Sequence, residues 1–138
     1  MPGLLEGFQS FGARGRNARW SWSARTSDGR VVMTFWQDQF LRGQPLTYSN
    51  IGRPDVANWR DLPGNQERIE NLRWAQDHWN GLMGVVIVKA ADENAHPRSI
   101  DDAFPRKDLL MQLRELNPDT GEFNAINVGN WDQFQRGV

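Results

Sequence analysis

The chain has no cysteine among its 138 residues, which excludes a structural disulfide, a thiolate nucleophile, an iron–sulfur cluster and a cysteine zinc site, and fits a cytoplasmic protein. Histidine is nearly as scarce, with His78 and His96 alone, and lysine is limited to Lys89 and Lys107, so that fourteen of the sixteen basic residues are arginine. An arginine bias suits forked recognition of phosphate or base edges, although genomic base composition produces the same bias without function. No apolar run approaches the length of a membrane span, and Met1 to Glu6 has neither a basic leader region nor a long apolar stretch. A soluble, intracellular protein with no membrane partner is expected. The length fits one domain with a core that needs no metal or disulfide support.

Formal net charge is −1, which argues against indiscriminate electrostatic binding to nucleic acid. The distribution says more than the sum. From Phe11 to Arg30 there are five arginines (Arg14, Arg16, Arg19, Arg25 and Arg30) against the single acid Asp28, whereas Asp92 to Glu122 holds eight acids against four basic residues. The chain is electrically polarised, with its basic end in the first quarter.

That basic quarter contains the most informative stretch, Asn17-Ala18-Arg19-Trp20-Ser21-Trp22-Ser23-Ala24-Arg25, followed after Ser27-Asp28-Gly29 by Arg30 to Asp38. It reads as a tryptophan-rich hairpin. Period-two alternation puts Trp20, Trp22 and Ala24 on one face and Arg19, Ser21, Ser23 and Arg25 on the other, and Asp28-Gly29 supplies the turn. Indoles beside guanidinium groups stack on planar bases and hold neighbouring phosphates, and a strand with one aromatic face is equally a way to cover a core.

Elsewhere, Leu4, Leu5, Phe8 and Phe11 lie at helical spacing, predicting a short amphipathic helix over 3–11. Leu41 to Gly64 is rich in glycine, proline, asparagine and serine and reads as a long irregular connection. Asn65 is expected to cap a helix running to about Asn80, with Ile69, Leu72, Ala75 or Gln76, and Trp79 on one face and Gly81 as its stop. Leu82 to Ala91 is a valine-rich apolar run, read as a buried central strand. Ser99-Ile100-Asp101-Asp102 resembles a capping box starting one helical turn closed by Pro105. Lys107 to Leu116 and Glu122 to Val128 read as strands joined by the turn Asn117 to Gly121. The compact body then covers about 3–128, and 129–138 is a polar tail whose Trp131 and Phe134 either dock or stay loose. The expected fold is α+β, with a mostly antiparallel sheet curved towards a barrel, PUA-like in outline, and one longer and one or two short helices.

Signals for catalysis are sparse. His78 beside Asp77, and His96 with Asp92, are the only general-base or metal-ligand candidates. There is no paired-histidine metal motif, phosphate-binding glycine loop or serine-elbow motif. Pro54-Asp55 resembles the opening of some nuclease sites, but no acid-x-lysine element follows: Ile87-Val88 precede Lys89, and Pro105-Arg106 precede Lys107. Neither an enzyme nor a metal or other cofactor is expected.

The order Asn17 to Ala24, then Phe35-Trp36-Gln37-Asp38, then Gly64-Asn65-Gln66-Glu67-Arg68-Ile69, then Asn94-Ala95-His96-Pro97-Arg98 within Ala90 to Ile100, resembles the N-terminal domain of bacterial HNH-endonuclease-like and restriction-like proteins. The resemblance spans about residues 8–116. Its matching positions are Asn17, Arg19, Trp20, Trp22, Trp36, Asp38, Glu67, Arg68, Pro97 and Arg98. It implies a reader of modified or flipped bases in DNA, linked to restriction or defence, here without the catalytic HNH module. On that expectation Trp20, Trp22 and Trp36 stack on the base, Asn17 and Asp38 meet its hydrogen-bonding edge, and Arg14, Arg16, Arg19 and Arg98 hold phosphates. Partners would be nucleic acid, DNA favoured, and a nuclease or other protein. The alternatives are a protein-interaction module that uses the same tryptophans and arginines, and a small nucleotide- or saccharide-processing enzyme acting through His96 and Asp92.

Overall fold

A computed structural model describes residues 4–15, 21–54, 56–95 and 100–135. In chain order these form α1 (Leu4–Gln9), β1 (Ala13–Arg14), β2 (Ser23–Thr26), β3 (Val31–Trp36), a 3-10 turn (Gln37–Gln39), β4 (Phe40–Leu41), β5 (Thr47–Ser49), α2 (Val56–Trp59), α3 (Pro63–Trp79), β6 (Leu82–Ala90), β7 (Ile100–Pro105), β8 (Leu110–Leu116), β9 (Phe123–Gly129) and α4 (Trp131–Gln135). All nine strands join one curved, unclosed sheet in the order β1-β2-β3-β6-β8-β9-β5-β4, with β7 paired to β6 beside that path. Every pairing is antiparallel except β3 with β6. The α+β expectation holds, but the sheet stops short of a barrel.

Parallel neighbours need a crossover, and α3 is the longest element of the segment that joins β3 to β6. Helix-covered central strands are buried on both faces, which is why Met83 to Val88 is a continuous apolar run and Val31 to Phe35 is apolar except for the buried Thr34. Their alternation sorts them into two layers. Val31, Met33, Phe35, Met83, Val85 and Ile87 pack under Leu72 and Ala75 of α3. Val32, Val86 and Val88 face the other way, onto Phe8 and Phe11 of the N-terminal segment and Trp131 and Phe134 of α4. Gly84, paired with Val32, makes the second layer fit: a Cβ there would sit 2.9 Å from Cε3 and Cζ3 of Trp131.

Residues 129–135 are therefore not simply a polar tail. Asn130 and Gln133 close a reciprocal cap at the start of α4, each backbone N–H donating to the other's side-chain oxygen at 3.1 and 3.0 Å. Trp131 and Phe134 are 1% and 2% exposed. The expected helical turn after Ser99 is instead strand β7, with Ser99 itself outside the described residues. Beyond Met83, β8 leaves β6, and Val86 to Ala90 take their ladder partners from β7.

The segment expected to be irregular holds three short elements, β4, β5 and α2, of which β5 pairs with β9. Helix α3 starts earlier than Asn65 because Pro63 occupies a first-turn position, where its fixed φ suits the helix. Leu62 is the N-cap residue, without a side-chain cap, and Asn65 is turned into the protein. The helix ends as expected: Asn80 is left-handed at φ 56°, and the Gly81 N–H donates to Ala75 O at 2.9 Å. Among the described residues no helix is long and apolar enough to cross a membrane.

Candidate functional site

The Asp28-Gly29 hairpin pairs β2 with β3 in the register Arg25 with Val31, Ala24 with Val32 and Ser23 with Met33. Strict alternation begins only at Ser23, and Trp22 lies on the bend before the strand. This corrects the expected aromatic face. Ala24 joins the layer of α1 and α4, whereas the Trp22 ring lies against Arg68 of α3, whose guanidinium carbon is 5.0 Å from its centroid. A residue outside the ladder is not bound by its period.

From Trp22 onwards, β2 and the hairpin turn run alongside α3 and form a polar and aromatic seam. The Asn71 amide spans both elements: its Nδ2 donates to Ser23 Oγ at 2.6 Å, and its Oδ1 accepts from Arg25 Nε at 2.7 Å. The Arg25 guanidinium lies 4.2 Å above the Trp74 ring, and His78, one helical turn further on, packs against Trp74 with centroids 3.8 Å apart and the rings tilted by 39°. Trp74 and Trp79 both donate their indole N–H to Gly29 O at 2.8 Å, so the hairpin turn is held to the end of the helix. At the sheet edge, Arg14 of β1 lies directly opposite Arg25. Like charges facing each other across a ladder destabilise it, and Arg14 is exposed.

At the other end of the seam sits Arg68, 3% exposed. Among the described residues, three rings surround its guanidinium carbon: Trp22 at 5.0 Å, Trp59 at 5.1 Å and Phe123 at 5.4 Å. Its Nη2 donates to Asn65 Oδ1 at 2.7 Å. Its Nε–H is buried without a hydrogen-bond partner, and no ion pair to it is found among the described residues. Burial lowers the guanidinium from its ordinary range to about 10, against the opposing influence of Tyr48. Tyr48 is itself fully buried, which raises its phenol to about 12 despite the attraction of the Arg68 charge. Its hydroxyl donates to Gln39 Oε1 at 2.7 Å and accepts from the Trp36 backbone N–H at 3.3 Å.

Asn65 ties this arrangement to the β8–β9 turn, its Nδ2 donating at 2.8 Å to both Arg60 O and Thr120 O. Gly121, at φ +85°, makes room for it, since a Cβ there would meet Asn65 Oδ1 at 2.3 Å.

Of the residues expected to touch a ligand, Trp22, Trp36, Asp38 and Arg14 are described, and Arg16, Asn17, Arg19, Trp20 and Arg98 lie outside the described residues, as do His96 and Pro97. Trp22 and Trp36 do not share a pocket, because Trp36 packs on the layer of α1 and α4. Asp38 is exposed on the 3-10 turn. His78 is an exposed residue whose ring packs at a tilt against Trp74, and Asp92 Oδ1 accepts from the Asn94 N–H in a loop turn. No cluster of metal-ligating side chains occurs among the described residues. Reasoning from sequence passes over Asn71, Trp59, Trp74 and Tyr48, and takes Asn65 for a helix cap when it is a buried part of the site. Their signal was present: Asn65, Arg68 and Asn71 continue, one turn apart, the stripe that Leu72 and Ala75 define. Buried polar residues on a helix's core face mark a site. No protein-family model, curated protein or solved structure matches the chain, so the seam's own chemistry carries its functional reading.

Proposed function

We propose that this chain is a non-catalytic nucleic-acid-binding domain, DNA favoured, that recognises its ligand along the β2–α3 seam. The observation that carries the reading is the cross-strand pair Arg14 and Arg25, with Arg25 stacked 4.2 Å over Trp74. Two arginines paired across a ladder concentrate like charge at the sheet edge, and a polyanion crossing that edge would neutralise it. The partly exposed indole of Trp22 on the same seam would supply the sequence-tolerant stacking of base readers. Arginine rather than lysine at these positions favours planar, forked contacts to phosphate.

The test is a fluorescence-anisotropy screen of single- and double-stranded oligonucleotides, with unmodified and modified bases, at two salt concentrations. Binding that weakens steeply with salt, and weakens less steeply in Arg14→Ala, supports the reading. A wild-type protein that binds none of these oligonucleotides at low salt rejects it.

A further inference from the structure

Arg68 presents a problem that the fold alone does not solve. A guanidinium 97% removed from solvent is costly to hold charged, and buried cations are ordinarily matched by a carboxylate. Among the described residues Arg68 has the Asn65 amide, three rings and an unused Nε–H instead. The rings attract its charge through their faces but leave the donor edge unfilled. An apolar residue would serve packing as well and would avoid the desolvation. A forked donor held by Asn65, next to two indoles that are only partly buried, is the arrangement an oxyanion receptor requires.

Burial also restricts what can reach it. A phosphodiester inside a continuing strand carries a nucleotide on each side and does not fit a position 3% exposed. A strand end carries its phosphate on one side only. The same seam leads from the cationic pair Arg14 and Arg25 to Trp22, whose ring covers Arg68. We infer that Arg68 receives a terminal phosphomonoester, so that the domain engages the phosphorylated end of a nucleic-acid strand, with Trp22 and Trp59 as walls and Arg14 and Arg25 on the strand that follows. This rests on the reading of the seam as a nucleic-acid surface. A terminal phosphate carries up to two negative charges near neutral pH, a strong complement for a buried guanidinium that has no carboxylate partner among the described residues.

The experiment measures anisotropy of 3′-labelled single strands identical except for a 5′-hydroxyl or 5′-phosphate, with inorganic phosphate and a nucleoside 5′-monophosphate as competitors. Wild type is expected to bind the 5′-phosphorylated strand about tenfold more tightly, as befits one charge-assisted contact. In Arg68→Met that preference disappears while affinity for the 5′-hydroxyl strand persists, and Arg14→Ala weakens both strands alike. The Arg68 Nε–H resonance of the wild-type protein, identified by its loss in Arg68→Lys, shifts on addition of the phosphorylated strand or the monophosphate, which localises the contact even where Arg68→Met does not fold. Equal binding of both strands by wild type overturns the inference and leaves the nucleic-acid reading standing. Failure to bind either strand overturns that reading. A response to inorganic phosphate alone, with neither strand nor monophosphate bound, overturns the strand-end assignment and makes Arg68 a site for a free anion.

Discussion

Replacing Gly121 by alanine tests how the site is held together, because two separable costs fall on one methyl group. The first is conformational: at φ +85° an L residue loses roughly 1–2 kcal/mol relative to glycine. The second is steric. The new Cβ would stand 2.3 Å from Asn65 Oδ1 and 2.8 Å from Nδ2, so Asn65, 0% exposed, has to move. Its movement breaks the bonds to Arg60 O, Thr120 O and Arg68 Nη2, each worth about 1 kcal/mol net and more where the abandoned partner is buried. The expected loss is about 4–5 kcal/mol. Gly12 is the internal control: it also has positive φ, +73°, but nothing lies within 4 Å of its Cβ position, so Gly12→Ala is expected to cost only about 1–2 kcal/mol. Urea unfolding followed by far-UV circular dichroism reads both, as midpoint shifts at unchanged slope. If Gly121→Ala and Gly12→Ala destabilise equally, the packing of Asn65 against the turn is not what supports Arg68.

Tyr48 is the only tyrosine, so phenolate absorbance reports it alone, and its ionisation in the folded protein is expected near 12 rather than at the ordinary 10. Its contribution to stability is complete below pH 10 and is lost between pH 10 and about 12, where the unfolded chain has given up the proton and the folded one has not. Arg68, lowered to about 10 from 12.5, acts with the opposite sign over the same window, so Arg68→Met is expected to steepen the alkaline loss of stability and Tyr48→Phe to flatten it, as read by urea midpoints across that range. Asn71→Ala removes the partner of both buried Ser23 and Arg25, and is expected to lower the unfolding free energy by about 2–3 kcal/mol; a change below about 0.5 kcal/mol contradicts the bridging role. Trp22→Ala is expected to weaken oligonucleotide binding by about 1–3 kcal/mol while the far-UV spectrum is kept, and unchanged affinity removes Trp22 from the interface.

Most of the fold was legible in the sequence because its strongest elements follow one-dimensional rules. The valine-rich run at β6, the turn from Asn117 to Gly121 and the Asn80-Gly81 helix stop each appear where composition and spacing put them. What was missed depended on partners distant in the chain. Ile100 to Pro105 is a strand because β6 outlasts its pairing with β8, and nothing local to Ser99-Ile100-Asp101-Asp102 conveys that. Trp131 is buried because Gly84, 47 residues earlier, leaves a hollow for its ring. The site was half legible. Arg68 and Trp22 were singled out, but their contact joins a helix face to a residue just outside a strand, where the period of two no longer places side chains. The polar positions Asn65, Arg68 and Asn71 could have been read as an interruption of α3's buried stripe, and that reading needed no structure.

The most direct test of the central claim is the salt dependence of oligonucleotide affinity for wild type and for Arg14→Ala. Arg14 is exposed, so its replacement leaves the fold and thermal stability unchanged within about 0.5 kcal/mol. If the β2–α3 seam binds nucleic acid, log K falls linearly with log salt in wild type, and Arg14→Ala reduces that slope by about one unit without altering base preference. Affinity that is indifferent to salt, or a slope identical in the two proteins, contradicts the assignment of this seam as the nucleic-acid interface.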